Sequence, residues 1–252
     1  MPVMHKQRRV AVITGAAGGI GKALVKAFSR EGHRVIGIDW KPSRMRQAEW
    51  MAFDLAELQR RSSAAQEFIR NLRDLCGGRV DVLVNNAAVQ IVKPMAEIEP
   101  QDWHQTLATN LLAPFWLIQG LLPLLRRARG SVVNIASIHA QLTKLNFALY
   151  ATSKAALVGL TRSLALELAP KIRVNAVLPA ATDTRMLRAG FAGRPNELDR
   201  LRQFHPLNEI ATPKEIADAV LFLSSAKSSF ITGTAVCVDG GIGACLHDPG
   251  LK

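Results

Sequence analysis

Cysteine is scarce in this 252-residue chain, and its placement argues against two kinds of site. The three cysteines, Cys76, Cys237 and Cys245, are scattered. An odd number of dispersed thiols argues against a disulfide framework, and their spacing does not match that of metal ligands. The six histidines are equally dispersed, with no pair at ligand spacing. The sequence therefore predicts no metal site.

Long apolar runs are also missing. The longest candidate, residues 111–125, falls short of the ~18 apolar residues that suggest a membrane span, and Pro114, Gln119 and Pro123 interrupt it. The basic and then apolar start of the chain resembles a signal peptide, but it runs directly into a glycine-rich motif that cleavage would destroy. We therefore expect a cytoplasmic protein with no membrane partner.

Acidic residues are outnumbered, with 20 Asp and Glu against 32 Lys and Arg, a formal net charge of +12. Such a surplus is typical of a solvated surface, and it also steers anionic ligands such as dinucleotides and acidic substrates. The chain has no recognised nucleic-acid-binding motif and a single tyrosine. We therefore expect no nucleic-acid partner.

What the chain does have is an alternation of short apolar strands with helical segments. Six predicted strands are residues 10–14, 35–38, 80–84, 131–136, 173–178 and 235–238, and Ala52-Phe53 ends one more. The predicted helices are one that follows the first strand and runs to Arg30, and residues 55–75, 101–126, 149–168 and 213–224. Strands that alternate with helices pair in parallel through right-handed crossovers. The predicted fold is one α/β domain, residues 1–252, with a doubly wound parallel sheet. Residues 180–212 lack strand character and are a candidate lid.

A glycine-rich sequence, TGAAGGIG at residues 14–21, follows the first strand and opens a helix. Gly15 supplies the tight turn, Gly19 lets the backbone approach a diphosphate and Gly21 permits close helix packing, while the helix start binds phosphate. Asp39 ends the second strand, where a carboxylate binds the ribose hydroxyls of NAD and repels the 2′-phosphate of NADP. Because Gly18 occupies the loop in place of a basic residue, the pattern predicts NAD.

Tyr150 and Lys154 lie four residues apart in a predicted helix, so their side chains share one face. A phenol with a pKa near 10 is a poor base at neutral pH, and a neighbouring cation moves that pKa toward the working range. The pair predicts a general acid/base with its tuning charge. Asn110 lies mid-helix, where Asn is a poor helix former. An insertion of a side chain or a water into the helical hydrogen bonds would account for it.

In order and spacing, these motifs resemble the short-chain dehydrogenase/reductase family. The resemblance rests on TGAAGGIG, Asp54, the sequence NNAA at residues 85–88, Asn110, Ser137, Tyr150-x-x-x-Lys154 and Asn175, and it runs to the sequence VDGG at residues 238–241. It implies a single-domain Rossmann fold with a seven-stranded sheet and helices on both faces, NAD(P) as cofactor, and a homotetramer formed through the helices of Asn110 and Tyr150. One departure is Ala180, which replaces the family's usual glycine. Its methyl group would either crowd the nicotinamide or shift the angle at which the lid begins.

The resemblance also implies roles for the matched residues. Tyr150 is the acid/base, Ser137 hydrogen-bonds the reacting oxygen, Lys154 lowers the tyrosine pKa and holds the nicotinamide ribose, and Asn110 positions a proton-relay water. Asp54 and Leu55 would contact adenine, Asn86 and Ala87 the adjoining ribose, and Thr182 and Thr184 the nicotinamide carboxamide and phosphate. The implied cofactor-binding residues are Gly15, Gly18, Gly19, Ile20, Gly21, Asp39, Asp54, Leu55, Asn86, Ala87, Tyr150, Lys154, Thr182 and Thr184.

Two partial resemblances concern the substrate. Gln90 and His139 are similar to carboxylate-binding positions of 3-hydroxybutyrate dehydrogenases, although Phe147 replaces a lysine of that subgroup. Residues 181–188 look more like 2,3-dihydro-2,3-dihydroxybenzoate dehydrogenases. Both subgroups handle an anionic secondary alcohol, so we expect a small anionic substrate. The candidate counter-charges are Arg185, Lys144 and Arg188.

Three functions are compatible with these features. The first is an NAD-dependent dehydrogenase that acts on a secondary hydroxyl of a small, anionic molecule. The second is a 3-oxoacyl reductase acting on a thioester of an acidic carrier protein or of coenzyme A; such enzymes usually take NADPH, and Asp39 argues against that. The third is a catalytically inactive dinucleotide-binding scaffold or sensor, against which the complete set Asn110, Ser137, Tyr150 and Lys154 argues.

Overall fold

The structure is a computed structural model that describes residues 8–246, and in that part of the chain seven strands form one sheet. They are β1 (Val10–Thr14), β2 (Arg34–Asp39), β3 (Glu49–Ala52), β4 (Val82–Asn85), β5 (Ser131–Ile135), β6 (Arg173–Pro179) and β7 (Ala235–Val238). All neighbours pair in parallel in the order β3-β2-β1-β4-β5-β6-β7. The basic start of the segment compared above with a signal peptide, residues 1–7, lies outside the described residues.

Helices cover both faces of this sheet. They are α1 (Gly19–Arg30), α2 (Ser63–Leu75), α3 (Pro100–Leu107), α4 (Ala113–Ala128), α5 (Ala148–Leu168), α6 (Arg185–Gly190), α7 (Pro195–Gln203) and α8 (Pro213–Ser224). One core cluster includes Leu72 and Leu121 from α2 and α4, and the other includes Leu24 and Val220 from α1 and α8. Apolar cores on both sides explain why the strands are almost continuously apolar. The predicted doubly wound Rossmann fold is confirmed.

Several predicted elements have the expected bounds, and two predicted helices are divided. Residues 55–75 form a 3-10 helix, Leu55–Arg60, followed by α2. The division occurs where Arg61 adopts a left-handed backbone with φ 48°. Ser62 then caps α2, because its hydroxyl accepts a hydrogen bond from the amide of Ala65 at 3.2 Å.

The predicted helix 101–126 consists of α3, a π-helical turn at Ala108–Leu112, and α4. The whole run, Pro100–Ala128, is long and apolar enough to cross a membrane by length and composition alone, with 39% of its most apolar window buried inside the structure. This helical segment is longer than the apolar segment 111–125 noted in the sequence, because the helix continues through Pro114 and Pro123. Leu117, Leu121 and Leu125 pack into the core, which is typical of a core helix in a globular fold.

The candidate lid, residues 180–212, contains two helices that the sequence analysis did not predict, α6 and α7. Its two ends are joined by a parallel bridge between Thr182 and Ala211. The amide of Asp183 donates to the carbonyl of Ala211 at 2.8 Å, and the amide of Ala211 donates to the carbonyl of Ala181 at 3.0 Å. The segment therefore leaves and re-enters the domain at one place.

Candidate active site

A cleft of about 1640 Å³ runs along the carboxyl ends of the central strands. This edge is where ligands bind in open α/β sheets. Apart from Arg188, one of the candidate counter-charges, the lining includes all but one of the residues predicted for the cofactor, the substrate and catalysis, among them Ser137, Tyr150 and Lys154. Asn110 is the exception, because it is buried below the cleft, next to Ala108 and Thr109 of the lining.

The glycine loop between β1 and α1 forms a cradle of backbone groups. Gly15 has φ +59°, and a Cβ atom there would lie 2.8 Å from the Cα of Ala87. A Cβ atom on Gly21 would overlap the carbonyl oxygen of Gly15. Helix α1 is capped by Gly18 without a side-chain hydrogen bond, so the N–H groups of Gly19 and Ile20 stand at a helix start without an intrahelical partner. These groups fit a diphosphate.

Thr14 and Asn86 hold this cradle against the end of β4. The hydroxyl of Thr14 accepts hydrogen bonds from the amides of Asn86 and Ala87 at 2.9 and 3.0 Å. The side-chain amide of Asn86 donates to the carbonyls of Thr14 and Gly15 at 2.9 and 3.0 Å. Asn86 therefore fixes the loop by its side chain.

Asp39 lies beside the loop at the end of β2, as predicted. One carboxylate oxygen accepts a hydrogen bond from the amide of Ala17 at 3.0 Å, and the other accepts one from the amide of Lys41 at 3.2 Å. At the far wall, Asp54 caps the 3-10 helix through the amide of Ala56 at 3.0 Å, and Leu55 is buried. A carboxylate beside a phosphate cradle fits the ribose and diphosphate of a dinucleotide.

The structure brings Ser137, Tyr150 and Lys154 together between β5 and α5. The ammonium of Lys154 donates to the carbonyl of Ile135 at 2.8 Å and lies 5.5 Å from the centre of the Tyr150 ring. Ser137 is buried, and its hydroxyl accepts a hydrogen bond from the amide of His139 at 3.2 Å. The two groups of the Tyr-x-x-x-Lys motif therefore face one another.

The protonation of this pair differs from the prediction. Burial raises the pKa of Tyr150 to about 12, and an interaction with the Ser137 hydroxyl offsets only part of that. Burial lowers the pKa of Lys154 to about 7, so its positive charge is partly lost near neutral pH. The pKa of Tyr150 is raised in this structure and not lowered, because desolvation of the phenol has the largest effect on it. The role of Lys154 as the tuning charge stays a prediction.

Asn110 occupies the π-helical turn and is 1% exposed. Its side-chain oxygen accepts a hydrogen bond from the amide of Val89 at 2.9 Å, and its side-chain nitrogen donates to the carbonyl of Val89 and the hydroxyl of Ser153, both at 3.0 Å. Ser153 in turn donates to the carbonyl of Tyr150 at 2.8 Å. Asn110 thus joins the loop after β4 to α5. The helix is interrupted by the π-helical turn itself, and the expected insertion of a side chain or a water into its hydrogen bonds stays a prediction.

The lid meets the glycine loop through its two threonines. Thr184 caps α6 by accepting a hydrogen bond from the amide of Leu187 at 3.3 Å. A Cβ atom on Gly19 would lie 2.8 Å from the methyl group of Thr184, so only glycine allows this approach. Thr182 is buried, and its hydroxyl donates to the carbonyl of Ala180 at 3.2 Å.

The substrate end of the cleft contains rings and few free charges. His139 stacks on Phe147 with ring centres 4.6 Å apart, and Gln90 lies on the same lining. Burial, with a smaller contribution from Lys144, lowers the pKa of His139 to about 4, so the imidazole is neutral at physiological pH. Arg188 forms a two-pronged ion pair with Asp183, at 2.6 and 2.8 Å. Arg185 is exposed and forms no ion pair with another described residue.

A family model described as enoyl-(acyl carrier protein) reductase matches residues 15–243. The chain belongs to the short-chain dehydrogenase/reductase family. It is 36% identical over 239 residues to the 2,3-dihydro-2,3-dihydroxybenzoate dehydrogenase of Escherichia coli K12, covering 91% of this chain and 94% of that protein. The chain is therefore an oxidoreductase of a family that binds NAD(P).

Solved structures of this family share the fold over nearly the whole chain. The ligand-free aldohexose dehydrogenase of Thermoplasma acidophilum superimposes with a TM-score of 0.90 at 31% identity, covering 96% of both chains. ElxO with NADP bound superimposes with a TM-score of 0.83 at 26% identity, covering 94% of this chain and 100% of the other.

Sequence reasoning missed some residues of this family member's cleft. His205, at the end of the lid helices, is 1% exposed; its Nδ1 lies 2.8 Å from the carbonyl of Leu201, and its Nε2 has no partner among the described residues. Trp40 follows Asp39 and is 69% exposed on the lining. The one signal in the sequence for these residues was the tryptophan directly after the aspartate that ends β2. Within residues 8–246, no cluster of three His, Cys, Asp or Glu side chains could hold a metal ion.

Proposed function

We propose that this protein is an NAD-dependent dehydrogenase that interconverts a secondary alcohol and a ketone on a small molecule. The observation that carries the proposal is the convergence of Ser137, Tyr150 and Lys154 on the same cleft as the glycine cradle. A proton-transfer group and a dinucleotide-binding loop in one cleft suit hydride transfer coupled to proton transfer. A purely sensory protein would need the cradle alone.

In the proposed reaction, the bound nicotinamide supplies or accepts the hydride. During reduction, the phenol of Tyr150 donates its proton to the carbonyl oxygen, and during oxidation the phenolate takes the hydroxyl proton. The hydroxyl of Ser137 hydrogen-bonds the same oxygen as charge develops on it. Lys154 binds the ribose of the nicotinamide half, and with a pKa near 7 it can exchange protons at neutral pH. Asn110 holds the loop after β4 and positions a relay water.

NAD is the proposed coenzyme because the carboxylate of Asp39 lies where the adenosine ribose binds in this type of fold. Its two oxygens face the glycine loop and the start of the next segment, so a 2′-phosphate brought there would meet a fixed negative charge. The NADP-bound ElxO structure shows that relatives of similar fold use the phosphorylated coenzyme, so the choice depends on this residue.

The coenzyme test compares the natural chain with Asp39→Asn. The amide oxygen of Asn can still accept the hydrogen bond from Ala17, so the substitution removes the charge and keeps the contact to the glycine loop, while the bond from Lys41 is lost. We expect the natural protein to bind NAD more tightly than NADP. In the variant, the ratio of the two affinities should fall at least tenfold, with both affinities measured by quenching of tryptophan fluorescence. Tighter binding of NADP by the natural protein would contradict the assignment.

We further propose that the substrate carries a negative group bound by Arg185. This guanidinium lines the cleft from α6 and forms no ion pair with any residue from 8 to 246, whereas Arg188 is paired with Asp183. The similarity to a dehydrogenase of a dihydroxylated benzoate supports an anionic, hydroxylated substrate. Gln90 and His139 add neutral hydrogen-bonding groups at the same end.

A 3-oxoacyl reductase is the second candidate. Its support is the 32% identity over 253 residues to the 3-oxoacyl-(acyl-carrier-protein) reductase of Thermotoga maritima, and the formal net charge of +12 suits an acidic carrier. The two functions differ in coenzyme and substrate. Comparing the turnover of acyl thioesters with NADPH and the turnover of hydroxy compounds with NAD therefore separates them.

The proposed assembly is a homotetramer in the cytoplasm. Its support is an apolar groove of about 480 Å³ between α4 and α5, the two helices that the family resemblance assigns to subunit contact. The groove is lined by Leu111, Leu112, Phe115, Trp116, Ala156, Gly159, Leu160 and Ser163. Cell fractionation is the test of location.

A further inference from the structure

His205 is a buried polar side chain of the cleft that the proposed reaction leaves unused. It follows α7 at the end of the lid, is 1% exposed and belongs to the cleft lining. Its Nδ1 lies 2.8 Å from the carbonyl oxygen of Leu201, in the last turn of α7. Because a carbonyl oxygen can only accept a hydrogen bond, Nδ1 carries a proton and donates it there. This bond fixes the orientation of the imidazole.

The other ring nitrogen of His205, Nε2, has no hydrogen-bond partner. With the proton on Nδ1, Nε2 of the neutral imidazole has a free lone pair and is an acceptor. A buried acceptor without a donor costs free energy, so such atoms are rare and call for an explanation. Within residues 8–246, buried side-chain atoms without a partner occur on His33, Asn85, Thr106, Trp116 and His205. Of these five residues, His205 alone lines the cleft.

The turn after β7 places His205 toward the reacting end of the cleft. A Cβ atom on Gly240 would lie 3.5 Å from Cβ and Cδ2 of His205, so the histidine packs on this turn. The same turn reaches Ile138, because a Cβ atom on Gly243 would lie 3.1 Å from its Cδ1. Ile138 directly follows Ser137, and both line the cleft. The imidazole therefore lies on a wall that adjoins the proposed site of the reacting oxygen.

This position indicates which part of a bound ligand can reach Nε2. In the sheet order β3-β2-β1-β4-β5-β6-β7, Asp39 ends β2, whereas His205 packs beyond β7 at the opposite side. The adenosine half of the coenzyme, proposed to lie at Asp39, is therefore remote from the imidazole. The family resemblance assigns the carboxamide and phosphate of the nicotinamide half to Thr182 and Thr184. The substrate is the ligand that remains for Nε2.

We propose that Nε2 of His205 accepts a hydrogen bond from a second hydroxyl group of the substrate, so that the protein selects secondary alcohols that carry another hydroxyl. This inference rests on the proposed dehydrogenase function and narrows its substrate class. A substrate without the second hydroxyl leaves the buried acceptor unpaired, and sites of this kind reject such analogues strongly. His205 is thus a specificity-determining residue that contacts the substrate.

The test uses alcohols that share a four-carbon skeleton and differ in the second hydroxyl. The probes are 2-butanol, which has only one hydroxyl, and 2,3-butanediol and 1,3-butanediol, which place the second hydroxyl at two different distances. The values kcat and KM are measured for each alcohol at saturating NAD. Fluorescence titration with NAD verifies that each variant is folded.

Two substitutions separate the roles of the two ring nitrogens. His205→Asn keeps a side-chain N–H close to the position of Nδ1, where it can donate to Leu201, and removes the acceptor at Nε2. His205→Gln places an amide oxygen close to the position of Nε2 and removes the donor at Nδ1. Phe204→Leu is the matched control, because Phe204 is the preceding residue, is 52% exposed and lies outside the cleft lining.

We expect the natural protein to favour at least one of the diols over 2-butanol by about tenfold or more in kcat/KM, the effect of pairing a buried acceptor. His205→Asn should bring that ratio to within about threefold of one, chiefly by raising KM for the diol. His205→Gln should keep most of the preference, and Phe204→Leu should keep all of it. The affinity for NAD should stay within a few fold in every variant.

Three results would overturn the inference while leaving the dehydrogenase function intact. The first is equal kcat/KM for the diols and 2-butanol in the natural protein. The second is a preference that survives His205→Asn and is lost in His205→Gln, because the ring would then serve only to bind Leu201. The third is a weaker affinity of His205→Asn for NAD with an equal loss for all alcohols, which would assign the donor to the carboxamide of the coenzyme. Absence of turnover of every probe, with NAD still bound, would overturn the proposed function together with the inference.

Discussion

Tyr150 and Lys154 depart from their usual pKa values in opposite directions, and both shifts come from burial. The phenol becomes a weaker acid, with its pKa raised to about 12, and the ammonium a stronger one, with its pKa lowered to about 7. Burial therefore shifts each group toward its uncharged form, fully for the phenol and in part for the amine at neutral pH. In the proposed reaction, a neutral phenol can donate its proton during reduction, whereas oxidation first requires the phenolate.

This difference predicts distinct pH profiles for the two directions. Oxidation requires the phenolate, so its kcat/KM should rise close to tenfold per pH unit between pH 8 and 10. Reduction requires the phenol, and its kcat/KM should not fall through loss of that proton over the same range. The measurement is steady-state kinetics in both directions with one established substrate. An oxidation rate that levels off below pH 9 would contradict the raised pKa.

The adjacency of these two side chains was predictable, and their protonation was not. A spacing of four residues in a helix places Tyr150 and Lys154 on one face whatever surrounds them. Their pKa values depend on what covers that face, and only the folded chain supplies the carbonyl of Ile135 and the surrounding packing. The same holds for His139, whose neutral state results from burial.

At the scale of elements, the π-helical turn at Ala108–Leu112 is the feature that joins fold and site. Asn110 uses both of its side-chain polar atoms there, so the loop after β4 and the helix α5 are held at fixed positions. Such turns are rare and occur frequently at functional sites. Removing the side chain would leave the amide and carbonyl of Val89 without these partners.

Asn110→Ala should therefore lower both stability and activity. Loss of hydrogen bonds from buried groups costs about 1–3 kcal/mol, which corresponds to a melting temperature roughly 2–12 °C lower for a domain of this size. The measurement is the melting temperature of Asn110→Ala and of the natural protein. Gln119→Ala, at an exposed position on α4, is the control variant. A melting temperature within 1 °C of the natural protein would show that the turn does not depend on Asn110.

Element prediction succeeded where local chemistry decides and failed where distant contacts do. β1, α8 and β7 have the predicted bounds because prolines, glycines and β-branched runs mark them. The break at Asn110 was signalled by a poor helix former in mid-helix. Helices α6 and α7 carry only start signals, the cap residue Thr184 and the initial Pro195. They are short, and the lid also depends on contacts such as the bridge between Thr182 and Ala211.

At the scale of the whole molecule, the groove between α4 and α5 predicts the assembly. A Cβ atom on Gly159 would meet no described atom within 4 Å, so the monomer itself tolerates a side chain there. Gly159→Arg should place a long charged side chain in the contact and dissociate a tetramer into smaller species, while Gly159→Ala should keep it. Light scattering after size-exclusion chromatography measures this. A natural protein that is monomeric, or a tetramer that survives Gly159→Arg, would contradict the proposed contact.

The most direct measurement of the central claim is the turnover of an established substrate by Tyr150→Phe, with NAD binding followed in the same preparation. The substitution removes only the hydroxyl and keeps the ring that packs beside His139 and Phe147. We predict a fall in kcat of about 10²–10⁴, the range for loss of a general acid/base, with the affinity for NAD within a few fold. Turnover by Tyr150→Phe at the natural rate would show that the proton is carried by another group.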